Sequence, residues 1–340
     1  PKLGNTMPPN PEWVAKLSEP AFEPDLPIVD PHHHLWQRAG SDYMFHDLLA
    51  DTQTGHNIVA TVFVDCHSMY RKDGLPELRC TGETEFANGV AAMSASGLYG
   101  DLRACAGIVG HVDLRLGGKA GAVFDAQIAA GNGRFKGIRH QTGWDADPGI
   151  RNSRTDPTPE LTRDKTFRAG FAELARRDLT FDAWLYHPQL AEIAELADAF
   201  PATPIVLDHV GGPLGYAGYA GRHAEVMATW KKSMAELAKR QNIVVKVGGL
   251  GMAMGWFDFY QRPAPPSSQM LADAFKPWVE TCIDLFGAER CMFESNFPVD
   301  KITSGYGVLW NAFKRLATGA SVVEKTALFS GTAKRVYRLG

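Results

Sequence analysis

The sequence has no apolar run that could cross a membrane, since a spanning helix needs about 20 mostly apolar residues. No membrane partner is therefore expected. It has only five cysteines, an odd number, and no C-x-x-C spacing. That argues against a disulfide framework and for a reducing compartment, with the cytoplasm as the expected location. Net charge is also scarce: the formal charge is −3 and no basic stripe is present, so nucleic acid is not an expected partner. The opening segment, PKLGNTMPPNPEWVAKLSEP, lacks the apolar centre of a signal peptide. A G-x-G-x-x-G phosphate loop after the first apolar run is missing too; that position holds His32, His33 and His34.

What is present is a chain of 340 residues, 45% of them apolar, enough to bury a large core. Residues 1–26 read as an extended arm, and residues 27–340 as one barrel domain. After the arm, short β-rich runs alternate with helical periodicity. Strands are predicted at 27–34, 59–66, 104–112, 135–141, 181–187, 204–210, 243–250 and 291–297. Helices are predicted at 83–95, 164–178, 189–200, 223–241, 270–287 and 321–339, the last opened by a Ser321/Glu324 capping box. Eight strand–helix units without a linker predict an α/β fold, a single (β/α)₈ TIM barrel. A doubly wound open sheet is the alternative, disfavoured by the absent phosphate loop.

Chemistry in such a barrel sits at the C-terminal strand ends. Eight of the eleven histidines fall at or just beyond predicted strand ends. Read as a strand with period two, the first run puts Asp30, His32 and His34 on one face and turns His33 outward to pack. His32, His34 and His187 are the expected imidazole ligands of one metal ion, with an open position left for chemistry. His209 is then an electrophile or proton shuttle. His67, His111 and His140 read as hydrogen-bonded wall residues. Arg139 and Arg71 are placed to recognise a carboxylate, because guanidinium matches it bidentately. Tyr70, Trp144 and Trp256 suit the wall of a planar substrate. Arg151 and Arg154 lie in a long loop of the kind that carries specificity and are offered as substrate contacts, with a solvated face as the alternative. The glycine-rich stretch from His209 to Gly221 reads as an active-site loop.

The stretch D-P-H-H-H-L-W on the first strand, LDHVGG on the sixth, NIVVKVGGL on the seventh and MFESNFPVD on the eighth together resemble the amidohydrolase superfamily, in its amidohydrolase-2 group of lactonases. The resemblance runs from about Ile28 to the C-terminus and implies a (β/α)₈ barrel and hydrolysis of a small carbonyl substrate; together with the arginines, the reading is a carboxylated cyclic ester. His32, His34 and His209 match the family's histidines. Lys246 matches the usual seventh-strand lysine and is counted among the substrate contacts. The family usually ends its eighth strand with S-D-W-P, whose aspartate deprotonates the attacking water; here the run is S-N-F-P, with Asn296 at that place. An amide can orient water but cannot act as a general base near neutral pH. Three readings follow: Glu294 or Asp300 is the base, His209 is the base, or the barrel binds without catalysis. Glu294 also reads as a buried partner for Lys246 or Arg139.

The expectation is thus a lactone hydrolase with a small-molecule substrate. A metal-dependent decarboxylase or hydratase, or a non-catalytic binding barrel, is the alternative. One divalent ion, Zn or Mn, is expected to be weakly held or absent, because the strand-eight carboxylate is missing. Homo-oligomer formation is left open.

Overall fold

The computed structural model describes residues 7–340. Eight parallel strands pair in sequence order: β1 Pro27–His33, β2 Asn57–Val64, β3 Arg103–Gly110, β4 Phe135–Arg139, β5 Thr180–Ala183, β6 Ile205–Leu207, β7 Ile243–Val247 and β8 Cys291–Phe293. The sheet closes where the backbone N–H of Asn296 reaches His32 O (2.9 Å) and that of His34 reaches Phe297 O (2.8 Å). A (β/α)₈ barrel results, and the open-sheet alternative is excluded. The strands are Val/Ile-rich and largely buried, as expected when helices cover a parallel sheet.

Each strand is followed by a helix: Phe45–Thr52, Thr81–Ala95, Ala120–Gly131, Lys165–Phe171, Leu190–Ala199, His223–Ala238, Ser268–Phe286 and Tyr306–Leu316. Three of these had no counterpart in the sequence reading. Phe45–Thr52 is short. Ala120–Gly131 is rich in alanine and glycine and has little polar contrast. Tyr306–Leu316 is buried on nearly every side, so no amphipathic period marks it. The Ser321/Glu324 capping box forms as expected, Glu324 accepting from Ser321 N–H at 2.7 Å.

Several strands end earlier than predicted. β6 stops at Leu207 and β8 at Phe293, because the following residues leave the ladder. His67 (φ 61°), His209 (φ 52°) and Asn296 (φ 53°) all adopt left-handed backbone. Such turns swing a polar side chain out of the sheet and over the barrel mouth. On β1 the register slips between Asp30 and His33, around Pro31. The simple alternation therefore fails there. Asp30 does not share a face with His32; its carboxylate accepts from Ser295 Oγ (2.6 Å) and Tyr306 OH (2.8 Å) instead. His33 packs away from the mouth, bonded to Thr61 Oγ1 at 2.8 Å.

Part of the expected arm, residues 1–6, lies outside the described residues. Residues 7–26 run along the outer surface. The Trp13 indole N–H donates to Arg262 O (2.7 Å), and Lys314 Nζ donates to Phe22 O (2.6 Å) and Glu23 O (2.8 Å).

The turn after β6 carries His209 and then Val210 (φ 48°), a β-branched residue in a region it rarely occupies. Trp230, fully buried on the next helix, holds it: its indole N–H donates to Val210 O at 2.7 Å. Trp230→Phe keeps an aromatic ring and removes that donor. It is expected to lower stability by about 1–3 kcal/mol, the cost of one buried unsatisfied acceptor, read as a shift in denaturant midpoint. It should also lower turnover, since the same turn places His209.

Candidate active site

A cleft opens at the C-terminal ends of the strands. His34, His209, Asn296, Arg139, Arg38 and Arg154 line its polar part, and Trp36, Trp184, Tyr186 and Tyr216 supply aromatic walls. His32 lies directly beneath, fully buried, with its ring centroid 4.9 Å from that of His34 and 4.5 Å from that of His209.

Below the cleft is a layer of buried charge. Lys246 Nζ lies 2.5 Å from Asp182 Oδ2, 3.0 Å from His32 Nδ1 and 3.5 Å from Asp208 Oδ1. Arg139 Nη1 lies 3.3 Å from both His32 Nε2 and Asp208 Oδ2. Burial, and then the Lys246 ammonium, holds the His32 imidazole well below its ordinary pKa, so it is neutral. Burial drives the Asp182 carboxyl up to about 7 despite Lys246.

Glu294 lies in this layer with its charge committed. Its Oε1 is 2.6 Å from His209 Nδ1 and 3.2 Å from the His209 backbone N–H, and its Oε2 is 3.2 Å from His32 Nδ1. The expected ion pair of Glu294 with Lys246 or Arg139 is thus replaced by contacts to two imidazoles. The Glu294 carboxylate fixes His209 with its proton on Nδ1, which leaves the Nε2 lone pair free. His34 is fixed the same way, by its Nδ1–H to Val64 O at 2.8 Å.

Asn296 and Asp300 act as a pair. The Asn296 amide donates to Asp300 Oδ1 (2.7 Å), and Gly251 N–H donates to Asp300 Oδ2 (2.8 Å). Asn296 Oδ1 is buried and has no partner. Asp300 is pushed up to about 7, chiefly by burial. Both of its oxygens are occupied and it is not part of the cleft wall, so it does not swing in as the sequence allowed.

Other expected positions are corrected. His187 does not join His32 and His34. Its Nδ1 accepts from Leu214 N–H (3.2 Å), and its ring packs on Tyr219. Lys246 is fully buried beneath the cleft and is not part of its wall. Arg71 is exposed and ion-paired with Glu85. Tyr70 bonds Asp65 (3.3 Å) and stacks on His67; neither it nor Trp144 forms part of the cleft wall. Trp256 borders an adjoining hollow with Met252 and Met254. The residues overlooked are Asp208 and Arg38. Asp208 stands beside His209 in LDHVGG, and its adjacency was the available signal. Arg38 has none, being brought in by the loop after β1.

His32, Asp208 and His209 can each offer one ligand atom within 4.8 Å of the others. Imidazole and carboxylate suit a divalent ion such as Zn²⁺ or Mn²⁺. Asp208 Oδ1 is buried without a hydrogen-bond partner, as is Glu294 Oε2. The donor set therefore fits a metal. Lys246 and Arg139 compete for the same atoms, facing both nitrogens of His32 and both oxygens of Asp208.

The profile of the amidohydrolase family matches residues 29–339. The chain is similar to the uncharacterized protein y4mH of Sinorhizobium fredii, 33% identical over 93% of this chain and 99% of that one. It is also similar to an L-fucono-1,5-lactonase of Burkholderia multivorans, 26% identical over 92% of this chain and 96% of that one. A zinc-bound crystal structure of an amidohydrolase from Burkholderia multivorans superposes with a TM-score of 0.70 at 25% identity, covering 92% of this chain and 99% of that one.

His187 has a structural use, and its consequence is measurable. Burial holds its pKa down to about 4, against about 6.5 when unfolded. Between those values the folded state binds fewer protons than the unfolded chain, so stability falls as pH drops from about 6.5 to about 4. Asp30, pushed up to about 6 by burial, and Asp300 act in the opposite sense, so only the variant isolates the histidine. His187→Gln should be less stable at pH 7.5. Its further loss between pH 6.5 and 5 should be about 2 kcal/mol smaller than that of the unmodified protein, as measured by urea unfolding at each pH.

Proposed function

The chain belongs to the amidohydrolase family, a family of hydrolytic enzymes, and from that premise we propose that it opens a small carboxylated lactone by attack of water. The single observation that carries this reading is the Glu294–His209 contact of 2.6 Å at the mouth of the barrel. It makes an oriented, buried imidazole whose free Nε2 belongs to the cleft wall. Such a carboxylate–imidazole pair is a general-base device. Of the three readings left open by Asn296, it supports His209 as base and Glu294 as the positioning residue.

Asn296 Oδ1, unpartnered in the cleft, accepts one hydrogen of the water. Its amide nitrogen is already given to Asp300 and does not serve an oxyanion. His209 Nε2 takes a proton as the water oxygen bonds to the lactone carbonyl carbon. Arg139, whose Nε–H is buried and unpartnered, stabilises the negative oxygen that forms. The tetrahedral centre then collapses, the ring C–O bond breaks, and His209 returns its proton to the departing alkoxide. The product is a hydroxy acid. A divalent ion held by His32, Asp208 and His209 would supply Lewis-acid polarisation of the carbonyl when bound; it would also take up the His209 lone pair, so His209 is the base of the metal-free site.

Assay by acid release should show turnover on a carboxylated lactone such as 5-oxotetrahydrofuran-2-carboxylate. Release of CO₂ from aryl carboxylates instead would favour the decarboxylase, and neither activity would favour a binding barrel. His209→Asn and Glu294→Gln should each lower kcat by about 10²–10⁴-fold. Asp300→Asn should cost less. Asn296→Asp places a second carboxyl against Asp300 and should reduce activity; a gain would mean that the site had lost its base.

The ion is proposed to be weakly held, because Lys246 and Arg139 stand against its ligands. Dialysis against chelator should leave well under one ion per chain with the fold unchanged by circular dichroism. One chelator-resistant ion per chain by elemental analysis would contradict this.

A further inference from the structure

The arginines of the cleft differ from most arginines on the surface. Arg71, Arg163 and Arg240 each hold a carboxylate. Among the described residues, Arg38, Arg151 and Arg154 have none within salt-bridge distance, although all three line the cleft. Arg38 comes from the loop after β1 and Arg154 from the loop after β4. Their guanidinium groups converge on one backbone carbonyl, that of Cys66 at the end of β2, each at 2.9 Å.

Two like charges sharing a single neutral acceptor repel, and the neighbouring Arg154 charge, after burial, lowers the pKa of Arg38. Arg38 is also held in place: its guanidinium stacks on the Trp36 ring, 3.9 Å from the centroid. Its Nη1 is buried and has no hydrogen-bond partner, and the neighbouring cleft hydroxyl, Ser153 Oγ, is unpartnered too. A buried guanidinium nitrogen left without an acceptor is costly. The cleft thus has unfilled donors where the loops after β1 and β4 meet, while His209 and the unfilled acceptor Asn296 Oδ1 come from β6 and β8.

We infer that Arg38 and Arg154, with Ser153, form a carboxylate clamp that binds an anionic group of the substrate remote from the carbonyl that is attacked. This rests on the lactonase reading for the identity of the reaction, and it assigns the carboxylate to these residues rather than to Arg71 or Arg139. Arg71 is already neutralised, and Arg139 is paired with Asp208 through Nη1 and has only its Nε–H free, which the proposed mechanism gives to the oxyanion. The clamp makes the enzyme select a ring bearing a carboxylate over the same ring bearing a neutral amide.

The test compares 5-oxotetrahydrofuran-2-carboxylate with the corresponding 2-carboxamide. The unmodified protein should favour the acid by tenfold or more in kcat/KM, mainly through KM. Arg154→Gln, on an exposed loop, and Arg38→Gln should each collapse that ratio toward one, and Arg38→Lys should keep part of it. An unchanged ratio in both Gln variants, or a preference for the amide in the unmodified protein, overturns the clamp. If neither lactone is turned over, the lactonase reading fails separately, and calorimetry with 2-hydroxyglutarate, the open-chain diacid, still reads the clamp. Binding weakened at least tenfold in Arg154→Gln supports it, whereas absent binding, or equal binding by both proteins, overturns it.

Discussion

Two fully or nearly fully buried cations, Lys246 and Arg139, lie beneath the mouth of the barrel, and the surrounding layer is arranged to balance them. Moving an ammonium or guanidinium out of water costs several kcal/mol even after relaxation. Asp182 and Asp208 meet that cost from β5 and β6, and Tyr337 near the C-terminus adds a hydrogen bond to Asp182. With β4, β5, β6, β7 and β8 each supplying or flanking a charge, the layer ties much of the closed barrel together. It also keeps His32 neutral and gives Glu294 two imidazoles as neighbours.

This arrangement bears on Asn296, the amide standing where the resemblance implies an acid. A carboxylate at position 296 would be a further buried negative group beside Asp300, which is itself pushed up to about 7. With Asn296 the pair is held by one hydrogen bond, and the amide oxygen is left buried without a partner. On the proposed mechanism the proton-accepting role passes to His209, an imidazole whose orientation Glu294 secures. The cations that balance the layer also occupy the atoms that would ligate a metal, so charge balance and metal affinity are opposed at the same few atoms.

Much of this was legible along the chain. The alternation of apolar runs and helical periods specified eight units, and the polar residues beyond each run located the mouth of the barrel. His209, Asn296, Glu294 and Arg139 could be named because each lies within three residues of the end of an apolar run. His187 also follows such a run, yet it lies to one side. The chain bends after Ala183, and its ring serves Leu214 instead. Asp30 was misplaced because a period of two does not survive the slip at Pro31.

The sequence by itself determined the barrel, the end at which its chemistry lies and the identity of most groups there, because burial patterns and strand order are encoded locally. Only the tertiary structure decided which groups meet. Glu294 lies 85 positions from His209, and Arg154 lies 116 positions from Arg38. Contacts across such separations depend on where a strand twists, where a left-handed residue turns the chain outward and which loop folds over the mouth. No spacing along the chain records these. The roles of Glu294 as a holder of His209, and of Arg38 as a free donor, exist only once the barrel has closed.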